Sequence, residues 1–258
     1  MSTDDLIERT QWDTFWVPPS VSIIDRPELL LLSCPESVHG LNAVHRLRAA
    51  DADLPRLLDE VAAHHTGRSS RIQLYPSSIR PAMDRALTSA GYTLTNRHDA
   101  YTLLTDTRRV PTAAGLVVRP VDRLDRLVDA ITVAHSAFGR DEPMPDADTL
   151  SGYLHDCTAP DARVHRFVVY DEATGQPLTS GGMTVYHDLS FGFLWAGGTV
   201  PEGRGRGAYT ALVTARVRRA AACGIAQVGL YARLETSAPI VAAQGFSRHG
   251  PMHHWTRP

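Results

Sequence analysis

Residues 198–224 read GTVPEGRGRGAYTALVTARVRRAAACG, and the rest of the chain is best understood outward from them. Gly203, Gly205 and Gly207 fall within five residues, and a run with helical patterning follows. Arg204, Arg206, Arg216, Arg218 and Arg219 lie within sixteen residues that contain no Asp or Glu. A glycine turn between a strand and a helix exposes N–H groups that have no partner inside the helix. The helix dipole adds partial positive charge there, so such a turn favours a phosphate-like anion. Gly205 and Gly207 allow positive φ and close approach of the backbone. The flanking arginines can pair with phosphate bidentately, as lysine cannot.

The bulk numbers make this anion site a local one. A chain of 258 residues, 43% hydrophobic and 21% charged, is ordinary globular composition and is long enough for one large domain or two modest ones. The net charge of −2 excludes the global basic field that non-specific nucleic-acid binding needs. Cys34, Cys157 and Cys223 are odd in number, widely spaced and without a CxxC pair, which points to reduced, mostly buried thiols and no metal site. The first residues, MSTDDLIERTQWD, are acidic and polar, unlike a secretory leader, and no apolar run reaches the length of a membrane span. The expectation is a soluble cytoplasmic protein with no nucleic-acid or membrane partner.

Residues 105–115, TDTRRVPTAAG, are polar and lack periodicity, as a linker would. On either side of it the chain echoes itself. Residues 67–103 and 224–257 each contain a Gly, a short strand ending Leu-Tyr, a helix opened by Ser, a Gly-aromatic pair and a last strand. Tyr75 to Gly91 spans 16 residues, and Tyr231 to Gly245 spans 14. Leu54, Leu57, Leu58 and Val61 give residues 54–66 a helical face that parallels the helix at 208–223. The element order is that of a duplicated α/β unit whose first copy lacks the glycine turn.

In the second half, residues 115–121 alternate like a strand. Asp122 can cap a helix with Leu124, Leu127, Val128, Ile131 and Phe138 on one face. A proline-containing loop at 139–149 and a short helix through Tyr153 and Leu154 come next. Residues 163–172, 178–187 and 189–200 read as an antiparallel meander. The strand–helix–strand run over 194–231 then implies a parallel pair with a right-handed crossover.

Two phosphate loops are set aside. A Walker loop ends GK[ST], where this chain reads RGAYT, and a dinucleotide fingerprint opens a βαβ unit rather than closing a meander. The loop instead resembles the acetyl-CoA-binding motif of the GNAT N-acetyltransferase superfamily, which runs Val-x-Pro-x-x-Arg-Gly-x-Gly with a core of Arg/Gln-x-x-Gly-x-Gly/Ala. Here it is Val200, Pro201, Glu202, Gly203, Arg204, Gly205, Arg206, Gly207, Ala208, and VAAQGF (241–246) matches the family's helix ending in Gly-Phe. The resemblance covers about 115–258 and implies an α+β fold. Its mixed central sheet, an antiparallel meander plus a parallel pair, is flanked by helices and duplicated. Residues 1–110 would be a degenerate GNAT-like domain without the cofactor loop, and 115–258 the catalytic domain.

It further implies that acetyl-CoA is held by Arg204, Gly205, Arg206, Gly207, Ala208 and Tyr209 at its pyrophosphate. Gly198, Thr199 and Val200 would lie along its pantetheine arm. The plain reading of Arg216, Arg218 and Arg219 is a solvated helix face. Tyr209 departs from the family's usual Gly or Ala, so its ring must turn away from the phosphates. The family's frequent Tyr proton donor is replaced by Val241. Ser237, one turn earlier, is the substitute donor, although capping the helix is its plain role. Tyr231 or a strand N–H would polarise the thioester carbonyl as an amine attacks it directly. Glu235, His187, Asp188, Asp141 and Glu142 are candidate bases, each more plainly a solvated charge, and Trp195, Phe138 and Glu142 are candidate acceptor contacts. The activity expected is acyl transfer from CoA to a primary amine on a small molecule, by a monomer or homodimer. Alternatives are a CoA-binding regulatory module without turnover, or a protein or peptide N-acetyltransferase.

Overall fold

The computed structural model describes residues 2–35, 41–106 and 113–258. The middle of the expected linker, 107–112, lies outside the described residues. The first half contains α1 (Thr3–Arg9), β1 (Ser22–Arg26), β2 (Leu29–Ser33), β3 (Ala43–Leu47), α2 (Leu54–His64), β4 (Ser70–Leu74), α3 (Pro81–Ser89) and β5 (Thr93–Leu104). The second contains β6 (Leu116–Pro120), α4 (Leu124–Phe138), α5 (Ala147–Thr158), β7 (Val164–Asp171), β8 (Pro177–Tyr186), β9 (Phe191–Thr199), α6 (Ala208–Ala222), β10 (Gln227–Arg233), α7 (Ser237–Ala243) and β11 (Ser247–Arg257).

These elements form two compact units. The first comprises Met1–Tyr101, Tyr231–Ala242 and Arg248–Pro258, and the second Thr102–Leu230 and Ala243–Ser247. This differs from a division into residues 1–110 and 115–258, because the end of the chain is built into the first unit. β11 pairs antiparallel with β4, from His253 opposite Leu74 to Arg257 opposite Ser70. Trp255 sits in the first unit's core with Leu57, Leu58, Ile72, Met83, Leu87 and Tyr92. Periodicity identifies a strand, but an edge does not announce in its own sequence which partner it will find.

In the first unit, β1, β2 and β3 form an antiparallel meander. β3 and β4 then pair in parallel across α2, Ala43 opposite Arg71 and Val44 opposite Ile72. Pro55 in its first turn and the buried stripe Leu54, Leu57, Leu58 and Val61 make α2 the helix the sequence describes. It is entered through a short 3-10 turn, Asp51–Asp53, so two carboxylates stand where the echo has glycines. Asp51 is paired with Arg80 Nε at 2.8 Å, and that end of the helix has no glycine turn to present donors to an anion.

In the second unit the strand order is β10-β9-β8-β7-β6. β6 to β9 are antiparallel neighbours and β10 is parallel to β9, across α6. The expected meander and crossover pair are both present. α4 differs in detail: its N-cap is Arg123 with no side-chain cap, and Asp122 accepts a hydrogen bond from Arg126 Nη1 at 2.7 Å instead. Leu127, Ala130, Ile131 and Val133 are its buried stripe, whereas Leu124 and Phe138 are exposed. Asp146 does cap α5, accepting from the Thr149 N–H at 2.8 Å.

β8 is buried along nearly its whole length. Glycines let its neighbours approach: a Cβ on Gly182 would lie 2.3 Å from the Trp195 ring. Gly182→Ala is therefore expected to cost about 1–3 kcal/mol through overpacking, lowering the melting temperature by several degrees. Gly152→Ala, in α5 with nothing within 4 Å, should leave it unchanged or raise it slightly. Calorimetric melting of the two variants checks this.

Candidate functional site

The glycine loop belongs wholly to the second unit, and its setting starts with β9. β10 pairs with β9 only from Gln227 opposite Phe191 to Gly229 opposite Phe193. Beyond Phe193, β9 continues to Thr199 with β8 on one side. Within that stretch β9 bulges. Gly182 faces Trp195 while Ser180 faces Gly198, so β9 fits one more residue than β8 between the same two pairs. Ala196 takes up the excess at φ 48°, a left-handed conformation unusual for a residue with a side chain. Bulges of this kind redirect a strand's side chains and end its regular pairing.

Val200 then leaves the sheet. Its N–H donates to the Leu178 carbonyl at 3.0 Å, so that amide is committed to β8 and does not serve the cofactor role expected of it. A 3-10 turn over Pro201–Gly203 follows, with Gly203 packed so tightly that a Cβ would meet Leu178 and Thr199 at 3.0 Å. Gly203 and Arg204 still donate backwards, to Val200 and Pro201. From residue 205 to residue 210, among the described residues, no N–H donates to a backbone carbonyl; the next is Ala211, to Gly207 at 3.0 Å. Gly205 and Gly207 have φ of 71° and 80°, and nothing lies within 4 Å of the Cβ position of Gly205. Six successive donors at the positive end of a fifteen-residue helix with no acid in its first turn suit a phosphate-like anion.

The arginines divide. Arg204 is exposed beside the loop. Arg206 is bonded through Nη2 to Asp171 Oδ2 at the end of β7, so its charge is already matched. That guanidinium, with the Ala173 and Thr174 N–H groups, holds the Asp171 carboxyl down to about 2. Arg218 and Arg219 are exposed, as a solvated face requires. Arg216 is not: its residue is 1% exposed, and the expectation of a solvated side chain is corrected. Nη1 donates to the carbonyls of Gly182 at 3.2 Å and Trp195 at 3.4 Å, and Nε and Nη2 are buried with no hydrogen-bond partner.

Tyr209 turns its ring to β9. A Cβ on Gly197 would meet its Cε2 at 3.0 Å and its hydroxyl at 3.4 Å, so the ring lies against the bulge and not over the loop's amides. Ala208 is buried in the unit's core. On the opposite face of the sheet, Gly198 lies under Ala137 and Phe138, whose Cβ and ring would be 2.8 and 3.2 Å from a Cβ there. Thr199 accepts from the Thr179 hydroxyl at 3.0 Å.

Trp195 donates through Nε1 to Thr184 Oγ1 at 3.0 Å, and the Arg166 guanidinium lies 4.9 Å from its ring centre and 5.2 Å from that of Tyr153. Arg166 and Tyr153 thus join Trp195, a grouping spread over three elements that the sequence does not show. Glu142 is exposed in the α4–α5 loop. His187 opens the turn beyond Tyr186, the opposite end of the β8–β9 hairpin from Thr199. Seven residues of strand, about 23 Å, separate Tyr186 from Thr179. The structure therefore removes His187 from the neighbourhood of the loop.

The remaining expected residues belong to the first unit. Tyr231 packs against Tyr75 with ring centres 5.7 Å apart, and burial holds its phenol well above the ordinary range. It stays protonated at neutral pH and so can donate but not act as a base. The Ser237 hydroxyl accepts from the Arg233 N–H at 3.0 Å at the first residue of α7, closing a local turn. Glu235 is exposed, and Val241 is fully buried. Cys34 is buried, Cys157 and Cys223 are half-buried, and all three are free. Among the described residues no three His, Cys, Asp or Glu side chains form a metal-binding group, and no helix is long and apolar enough to cross a membrane.

No protein-family model matches the chain, and no curated protein matches it by sequence. Solved structures do. A GCN5-related N-acetyltransferase from Kribbella flavida superposes with a TM-score of 0.74 at 16% identity, over 100% of this chain and 96% of that one. A GCN5-related N-acetyltransferase from Sphaerobacter thermophilus gives 0.63 at 16% identity, over 91% and 83%. A tandem GNAT protein from the clavulanic acid biosynthesis pathway gives 0.60 at 14% identity, over 97% and 86%. At these identities the likeness is one of fold: the chain has the GNAT fold, in its tandem form.

Proposed function

We propose that a chain folded in this way is a CoA-dependent acyltransferase that acylates a primary amine on a small molecule in the cytoplasm. The observation that carries the reading is the run of backbone donors from residue 205 to residue 210, which follows the stretch of β9 that continues beyond its pairing with β10. The donors bind the pyrophosphate, with Arg204 alongside. The β9 edge beyond Phe193 accepts the pantetheine arm as an added strand would be accepted. CoA supplies the acyl group as an activated thioester. Phe138 and Trp195 border the acceptor on the α4–α5 face, where the rings shield the reacting nitrogen from bulk water. β9 itself carries no acid, so the amine sheds its proton to water rather than to a side chain.

Titration calorimetry of the full chain with CoA tests the binding half, and thiol release from acyl-CoA across an amine panel tests turnover. Micromolar binding is expected, with release that depends on the amine. A second reading, a CoA-binding module without turnover, is favoured by the buried Val241 where a proton donor is expected. Binding with no acceptor-dependent release would select it.

A further inference from the structure

Resting on that reading of the loop, we infer that Arg216 is the counter-charge for a carboxylate at the far end of the acyl group. The preferred thioester is then that of a dicarboxylic acid, of the malonyl or succinyl class, rather than acetyl. A guanidinium cannot shed its charge, and burying it without an anion is among the costliest arrangements a core can hold. Arg216 is buried to 1%, its Nε and Nη2 have no hydrogen-bond partner, and no carboxylate pairs with it among the described residues. Its two bonds to carbonyls, at 3.2 and 3.4 Å, are long for a charged donor. Desolvation lowers its pKa, and the Tyr209 phenol, which lies close enough to interact with the guanidinium but carries no charge at neutral pH, offsets this only in part.

Its position says which anion belongs there. Arg216 lies eight residues after Ala208 on α6, about 12 Å along the axis from the donors of the loop. The phosphates are therefore out of its reach, and the arm between phosphate and sulfur is uncharged. The guanidinium touches β9 at the bulge, where a Cβ on Gly197 would be 3.3 Å from Nη2 and one on Gly181 would be 3.2 Å from Nη1. The two glycines let Leu212, Tyr209 and the guanidinium itself pack directly on the strand backbone there. The amine acceptor is served by the other face, through Phe138 and Trp195. An anion arriving on the α6 face at the bulge is one carried by the acyl group, and the Tyr209 hydroxyl beside Arg216 offers it a second donor. Transfer forms the C–N bond, breaks the C–S bond, and returns the amine proton to the thiol by way of water, leaving the distal carboxylate unchanged.

The test is calorimetry of the full chain with CoA, acetyl-CoA, malonyl-CoA and succinyl-CoA. At least one dicarboxylic thioester should bind tenfold or more tightly than acetyl-CoA, and in Arg216→Met that ratio should fall to within about twofold of one. Acetyl-CoA binding as tightly as both others, or a preference that survives in Arg216→Met, would overturn the assignment. The wild-type ratio decides alone if the Met variant does not fold. Failure of all four ligands, CoA included, would instead remove the reading of the loop.

Discussion

Gly205→Asp is expected to weaken CoA binding at least about 100-fold, or ~2.7 kcal/mol, while Gly205→Asn costs less than about tenfold. Gly205 has φ of 71° and nothing within 4 Å of its Cβ position, so neither side chain collides with the protein. Asn and Asp are also the residues that best tolerate a left-handed backbone. The two variants therefore share their shape and most of their strain and differ in one charge. The Asp carboxylate would stand among the six donors of residues 205–210, competing for them and repelling a pyrophosphate at close range. Calorimetric titration with CoA at fixed ionic strength measures both constants. Equal losses in the two variants would mean that the loop reads shape and not charge.

The second large effect is one of pH. His45, His98 and His254 lie on β3, β5 and β11 of the first unit, with the His98 and His254 ring centres 4.9 Å apart. Burial is the leading cause in each case. It lowers His45 and His98 from 6.5 to about 4, and His254, beside His98, to about 2. In the unfolded chain these imidazoles take up protons as pH falls through 6.5, whereas in the folded chain they resist until about 4 or below. Stability is thus fully present above 6.5 and is lost progressively toward 4. His45 alone, shifted from 6.5 to about 4, accounts for about 3 kcal/mol over that window. The urea midpoint should fall steeply between pH 7 and pH 4.5, and His45→Phe should show a shallower fall. A midpoint that does not move would refute the burial of neutral imidazoles.

Much of the site was legible because backbone chemistry carries it. Glycines at 205 and 207, the Val-x-Pro start and the helix after them prescribe a donor-rich turn whatever surrounds it, and the turn is present. The side chains around it were harder. Arg206 looks like a phosphate ligand in sequence, and only the approach of β7 brings Asp171 to its guanidinium. Charge alone groups Arg216 with Arg218 and Arg219. Its place four residues after Leu212 and four before Ala220, both fully buried, was the available signal that it belongs to the inward stripe.

By itself, then, the sequence determined the local elements, the duplicated order of strand, helix and strand, and the loop that one copy keeps. It determined them because glycine conformation, helix periodicity and strand alternation are properties of a few adjacent residues. Tertiary structure alone decided that β11 pairs with β4, that Tyr209 rests on a bulge at Ala196, that His187 stands at the wrong end of its hairpin, and that a charged Arg216 is enclosed. Those outcomes depend on which distant surfaces meet, and burial and electrostatics are set by that meeting, not by the neighbours along the chain.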